Sequence, residues 1–205
     1  LIKTAYVLAG LFFLGLFGII GIFTYFTSTL PKIEALSDYR PVLQSQILSK
    51  DGTILAEFGS EKREIVDMKD VPKFIVDAFV SAEDDSFYKH TGVDYGGIAR
   101  AMLVNLKAGR VVQGGSTITQ QVAKSFYLSK ERSISRKIKD VLLAHRIEKK
   151  LSKEEILFLY LNQVYLGGGY YGVKSAFKGY FGKELFESTL AESAMVAGLL
   201  VARDA

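Results

Sequence analysis

The feature that most limits what this chain can become is its opening. Between Thr4 and Pro31 there is no charged residue, and "AYVLAGLFFLGLFGIIGIFTYF" is almost wholly apolar. About 20 apolar residues in a helix cross the hydrocarbon core of a bilayer. A cleaved signal peptide would have a shorter apolar core followed by a small-residue cleavage site. Here the run is long and leaves through "TYFTSTLP", with Tyr25 and Phe26 placed as interfacial aromatics. Residues 1–30 therefore read as a single transmembrane helix. Lys3 is the one charge before it, and by the positive-inside rule it puts the rest of the chain outside the cytoplasm.

In a chain of 205 residues, the part beyond the anchor suffices for one globular domain with its own core. There is no cysteine, which excludes a disulfide framework and thiolate chemistry but does not identify the compartment. A formal charge of +4 suits an anionic partner such as a lipid headgroup, a phosphate or a nucleic acid. It is too small to choose among them.

Residues 31–60 read as a juxtamembrane linker, "LPKIEALSDYRPV", and a β-hairpin in which "LQSQILSKDGTILAEF" alternates around Asp51-Gly52. From 61 to 205 the pattern is helical. "DVPKFIVDAFVSAED" has Pro72 near a first turn, with Phe74, Ile75, Ala78, Phe79 and Ala82 at helical spacing. Glu83 falls at or just past the end of that helix, where the dipole disfavours a negative charge. "YGGIARAMLVNLKAG" makes a second helix, and "GGSTITQQVAKSFYL" a third with a Ser or Thr cap. "SISRKIKDVLLAHRIEKKL" is a longer basic, amphipathic helix. Capping boxes at Ser152 with Glu155 and at Thr189 with Glu192 open later helices, and "GGGYYGVKSAFKGYFG" supplies a glycine turn and a helix between them. The expected fold is mainly α, with a small β-hairpin and an N-terminal transmembrane helix.

Glu83, Asp84 and Asp85 stand together near His90 in a chain that is basic overall. They read as a polar helix end or as an acid site. Thr117, Gln120, Gln121 and Lys124 lie within one or two turns of a helix start. Hydroxyl, amide and ammonium groups there suit sugar hydroxyls or phosphate oxygens. In "RKIKD", Arg136 and Lys137 lie four and three residues before Asp140. These read as surface ion pairs, or as a cationic strip for a phosphate or diphosphate holding one carboxylate of depressed pKa. Gly167-Gly168-Gly169 lacks the ending of a phosphate loop, neither His90 nor His145 has a zinc-spaced partner, and no serine nucleophile elbow is present.

Taken in order, these segments resemble the family 51 glycosyltransferases, the peptidoglycan polymerase module of class A penicillin-binding proteins. The family's E-D-x-x-F-x-x-H-x-G stands here as "EDDSFYKHTG", and its G-x-S-T-[IL]-[ST]-Q-Q as "GGSTITQQ", followed by Lys124. R-K-x-x-E stands as "RKIKD", a Y-L-N with following glycines as "YLNQVYLGGGYYGVKSA", and the fifth segment as "LAESAMVAGLL". The resemblance implies a lysozyme-like helical domain with a membrane-embedded jaw. Its substrate would be lipid II, a disaccharide-pentapeptide on undecaprenyl diphosphate. The growing glycan, as donor, would be joined to the 4-hydroxyl of a lipid II acceptor, with inversion at the anomeric carbon and release of undecaprenyl diphosphate.

By the same resemblance Glu83 is the general base, with Asp84 as a supporting acid that raises its pKa. Lys124, Arg136 and Lys137 match diphosphate-binding positions, Ser116 and Gln121 match substrate-contact positions, and Asp140 matches the second carboxylate. Asp85 is expected at the surface and His90 in a structural role. A divalent cation, Mg or Mn, is implied by the resemblance only. The implied partners are lipid II, the nascent glycan chain, membrane lipids and cell-wall synthesis proteins, with no nucleic acid. The implied location is the bacterial inner membrane, with the catalytic domain on its extracytoplasmic side. The third motif ends in Asp140 where the family has Glu, one methylene longer, which raises the expectation of an impaired variant. The ending "VARDA" stands where the family continues with a proline-containing segment, so a cut or altered end is expected. Two other readings stay open, a membrane-anchored lysozyme-like enzyme that cleaves glycan and a non-catalytic scaffold that binds lipid II.

Overall fold

The apolar opening forms helix α1, Ile2–Ser28, about 40 Å long at 1.5 Å per residue. The structure, a computed structural model, describes residues 2–30, 41, 44–59, 61–127 and 133–204. Most of the juxtamembrane linker, residues 31–40 and 42–43, lies outside them. Within α1, Gly10–Ser28 has a mean hydropathy of 1.9 with none of it buried, long and apolar enough to cross a membrane. The last turn of α1 contains no basic residue. A cation comes from elsewhere: Arg146 donates to the Thr27 carbonyl at 2.9 Å, and Leu30 just beyond is buried in the core.

Strands β1, Ser45–Leu48, and β2, Ile54–Phe58, pair antiparallel with Ser45 opposite Phe58. Gly52 takes φ of 85° in the turn between them, the conformation that the Asp51-Gly52 pair favours. A second pairing carries no signal in the alternation of residues: β3, Lys62–Arg63, runs parallel to β4, Tyr170–Tyr171. Polar side chains hold it. Arg63, 5% exposed, donates to the Asn162 carbonyl and to Gln163 Oε1, both at 2.6 Å. The Asn162 amide in turn bonds both the N–H and the carbonyl of Val66 at 2.9 Å.

The helices follow the apolar spacing. Helix α2, Lys73–Glu83, buries Ile75, Val76, Phe79 and Val80 and packs against α8, Leu190–Asp204. Helix α3, Tyr95–Ala108, is capped by Asp94, which accepts from Gly97 N–H at 2.8 Å. Helix α4, Ile118–Tyr127, packs on both α5, Ile134–Lys150, and α6, Lys153–Gln163. Helix α7, Val173–Phe181, comes after the glycine turn. The boxes at Ser152/Glu155 and Thr189/Glu192 form as the sequence predicts. Phe79, Phe87, Ile118, Leu143, Ile147 and Phe177 are fully buried at the centre.

One glycine decides how the acid cluster meets the rest. Gly92, in the loop between α2 and α3, has φ of +93°, and a Cβ there would lie 2.8 Å from the backbone carbonyl of Ala144 in α5. Only glycine lets this loop lie directly on that helix. The architecture is mainly α with small β pieces.

Candidate active site

Glu83 is the last residue of α2 and is half-buried. Gln121, in the first turn of α4, donates its side-chain N–H to Glu83 Oε2. Asp84, 7% exposed, turns to other partners. His90 Nε2 lies 3.0 Å from both of its oxygens, and Ile118 N–H donates to its Oδ2 at 3.0 Å. That N–H begins α4, so a carboxylate here complements both an unpaired donor and the positive end of the dipole. Burial raises the pKa of Asp84, while the bonds from His90 and Ile118 pull it down. Asp85 is exposed, 3.5 Å from Arg100. The three adjacent acids thus face three environments.

The glutamine pair divides as well. Gln120 is buried, its Oε1 accepting from Thr117 N–H at 3.0 Å, and Thr117 Oγ1 accepts from Gln120 N–H at 3.2 Å. This is a capping box, fastened to the acid loop because Thr117 Oγ1 donates to the Gly92 carbonyl at 2.6 Å. Gln121 is left to face Glu83.

On the other side of the same segment, Ser116 accepts from Lys137 Nζ at 2.9 Å. Arg136 is half-buried and Lys124 exposed. Asp140 is 4% exposed and its Oδ1 has no hydrogen-bond partner among the described residues. The surface ion-pair reading therefore fails. So does the expectation of a depressed pKa: burial raises it, and the positive charges of Arg136, Lys137 and Lys124 offset this only in part. Lys137 is lowered from the usual lysine value, first by desolvation, with Asp140 opposing and Arg136 and Lys124 adding to the effect. Three cations, of which Lys124 and Lys137 reach solvent and Arg136 is half-buried, surround one buried carboxylate and leave a local excess of positive charge.

The donor set does not suit a metal held by protein alone. Among the described residues no three His, Asp or Glu side chains converge, and Asp140 is hemmed by cations. The structure also shows polar groups behind the site to which no motif reading assigned a part: Thr119, Glu148 and Lys153 form a partly buried chain. A signal exists for the last two, because each charge stands at the wrong end of its helix for the dipole.

The family model for transglycosylases matches residues 51–204. The chain belongs to the transglycosylase family. The chain is 50% identical to penicillin-binding protein 1A of Neisseria flavescens over 189 residues, 92% of this chain and 23% of that protein. Penicillin-binding protein 1A of Pseudomonas aeruginosa is 45% identical over 179 residues, 87% of this chain and 22% of that protein. The chain thus spans about a quarter of the length of the curated relatives it matches. A crystal structure of penicillin-binding protein 1A from Haemophilus influenzae aligns with 82% of this chain and 15% of its own, at 25% identity and a TM-score of 0.38. The family is the one that the five motif segments resemble.

Proposed function

We propose that this transglycosylase polymerises peptidoglycan, joining a lipid-linked glycan donor to the 4-hydroxyl of lipid II. One observation carries the reading. The segment from Ser116 to Gln121 touches both halves of the constellation, Gln121 bonding Glu83 and Ser116 bonding Lys137. A carboxylate able to take a proton and a cluster able to take a diphosphate are thereby set on either side of one rigid helix start.

The proposed step is a single displacement. The acceptor O4 attacks the donor anomeric carbon and gives its proton to Glu83, so one C–O bond forms as the bond from that carbon to the diphosphate oxygen breaks. Attack opposite the leaving group inverts the carbon. Undecaprenyl diphosphate departs with the electron pair, its charge met by Lys124, Arg136 and Lys137, where the Arg fork takes two oxygens at once. Asp140 sits among those cations and offsets part of their charge when it is ionised. In this reading α1 spans the inner membrane, residues 31–60 link it to the catalytic domain at 61–205, and that domain faces away from the cytoplasm.

Incubation of the full chain with labelled lipid II is expected to yield polymer, and incubation with preformed glycan to leave its length unchanged. Shortened glycan with no polymer would support the cleaving enzyme instead, and lipid II binding without polymer the scaffold. Glu83→Gln is expected to lower polymerisation at least about a hundredfold with lipid II binding kept. Substantial retained turnover removes Glu83 from the role of base.

A further inference from the structure

Behind the Glu83–Gln121 pair lies a partly buried polar chain that the proposed step does not use. Lys153 opens α6 and Glu148 stands in the last turn of α5, so each charge occupies the helix end where the dipole disfavours it. The two meet at 2.6 Å, with the Glu148 side chain 7% and the Lys153 side chain 23% exposed. Such a largely buried ion pair is a poor device for stability alone, since an apolar pair of similar volume often serves as well. Its connections indicate another use. Glu148 Oε1 also accepts from the Thr119 hydroxyl of α4 at 2.7 Å. Lys153 donates to the His90 carbonyl at 2.8 Å and lies 4.3 Å from the centre of the Phe87 ring. From His90 the chain continues through the imidazole to Asp84, and from Asp84 to the Ile118 N–H. Helix α4 is therefore fastened at two successive residues, Ile118 and Thr119. Two positions further on is Gln121, the group that reaches Glu83.

We propose that Lys153 and Glu148 are positioning residues that seat the start of α4 so that the Gln121 amide meets the Glu83 carboxylate. The inference rests on the polymerase reading for its kinetic consequences, though not for its structural content. A hydrogen bond to the ionised form of a carboxylate favours that form. Loosening α4 weakens the bond, raises the pH at which Glu83 ionises, and moves the acid limb of the rate profile upward.

The test uses the full chain in detergent or vesicles with lipid II. Lys153→Met is expected to lower kcat about tenfold with KM within about twofold, and to shift the acid limb of kcat/KM to higher pH. Lys153→Arg, which keeps the charge, is expected to recover most of both. Gln121→Leu should shift the limb in the same direction, and adding Lys153→Met to it should shift it no further, because both act through one bond. If Lys153→Met alone does not fold, Lys153→Met with Glu148→Gln leaves no lone buried charge and carries the same measurements. An unmoved acid limb in the Lys153 variants, or shifts that add fully with Gln121→Leu, would overturn the proposal. Carboxyl 13C titration of Glu83 in the same proteins reads the shift without turnover. A wild-type chain that makes no polymer would thus refute the polymerase reading and leave this one to be decided by the titration.

Discussion

Asp140 is held at an energetic cost that should be visible in how stability depends on pH. It is buried, and its Oδ1 has no partner among the described residues. Its folded-state pKa lies above the ordinary carboxylate value, because burial outweighs the neighbouring cations. Between those two values the folded chain binds more protons than the unfolded one, so stability falls as pH rises through that window and stays reduced above it. Asp140→Asn is expected to raise the melting temperature at pH 7, with the advantage closing as the pH falls to about 4. A lower melting temperature at pH 7 would show instead that the cations need the charge. Asp140→Glu tests the other property of the residue, its reach. With one methylene more, the carboxylate extends by roughly 1 Å, a displacement that matters greatly in a catalytic site, and polymerisation is expected to rise about tenfold. The site was legible in part at this scale. Spacing along one helix shows which side chains are neighbours, as for Arg136, Lys137 and Asp140. It does not show that α4, contributed by a different stretch, packs on α5, or that Asp140 is out of water. Asp84 shows the same limit, because its bond to Ile118 crosses 34 positions of sequence.

At the scale of elements, much of the molecule rests on local chemistry and a few joints rest on none. The helix starts at Ser152 and Thr189 are closed by their own third residues, so four letters of sequence suffice to find them. The hairpin needs only Asp51-Gly52 between alternating segments. The β3–β4 pair is of another kind. Two residues per strand have no period, and what joins them is Arg63 and Asn162 acting across about a hundred residues, which no local pattern registers. The loop carrying the acid cluster is a joint of this kind too. Gly92→Ala is expected to cost about 2 kcal/mol, within the roughly 1–3 that a residue in a sparsely populated backbone region costs. The atoms that the new Cβ would meet are backbone of α5 and not the end of a flexible side chain, so the close approach adds to that cost. Urea unfolding should show a lower midpoint with an unchanged slope, and an unchanged midpoint would mean that the loop can lift off α5.

At the scale of the whole molecule, the contact that matters most is the one between α1 and α5. Arg146 reaches the Thr27 carbonyl while Leu30 enters the core, so the long apolar helix is joined to the same helix that carries Arg136, Lys137 and Asp140. Arg146→Gln is expected to leave the melting temperature within about 2 °C, as for a change at a partly exposed position outside the core. It should broaden the distribution of distances between spin labels placed at Phe17→Cys and Lys149→Cys. Those labels go only where they are sent, because the chain has no cysteine of its own. An equally narrow distribution in the variant would mean that Leu30 alone makes the joint stiff. Where α1 spans a bilayer, a domain on a slack tether would sample a hemisphere above its attachment point. A domain fixed to the end of its helix keeps one free rotation, about the normal to the sheet of lipid. Arg136 lies ten positions back along α5, about 15 Å of helix from the joint. Meeting a ligand confined to the same leaflet then becomes a search over two coordinates of drift and one compass heading, with elevation removed from the problem.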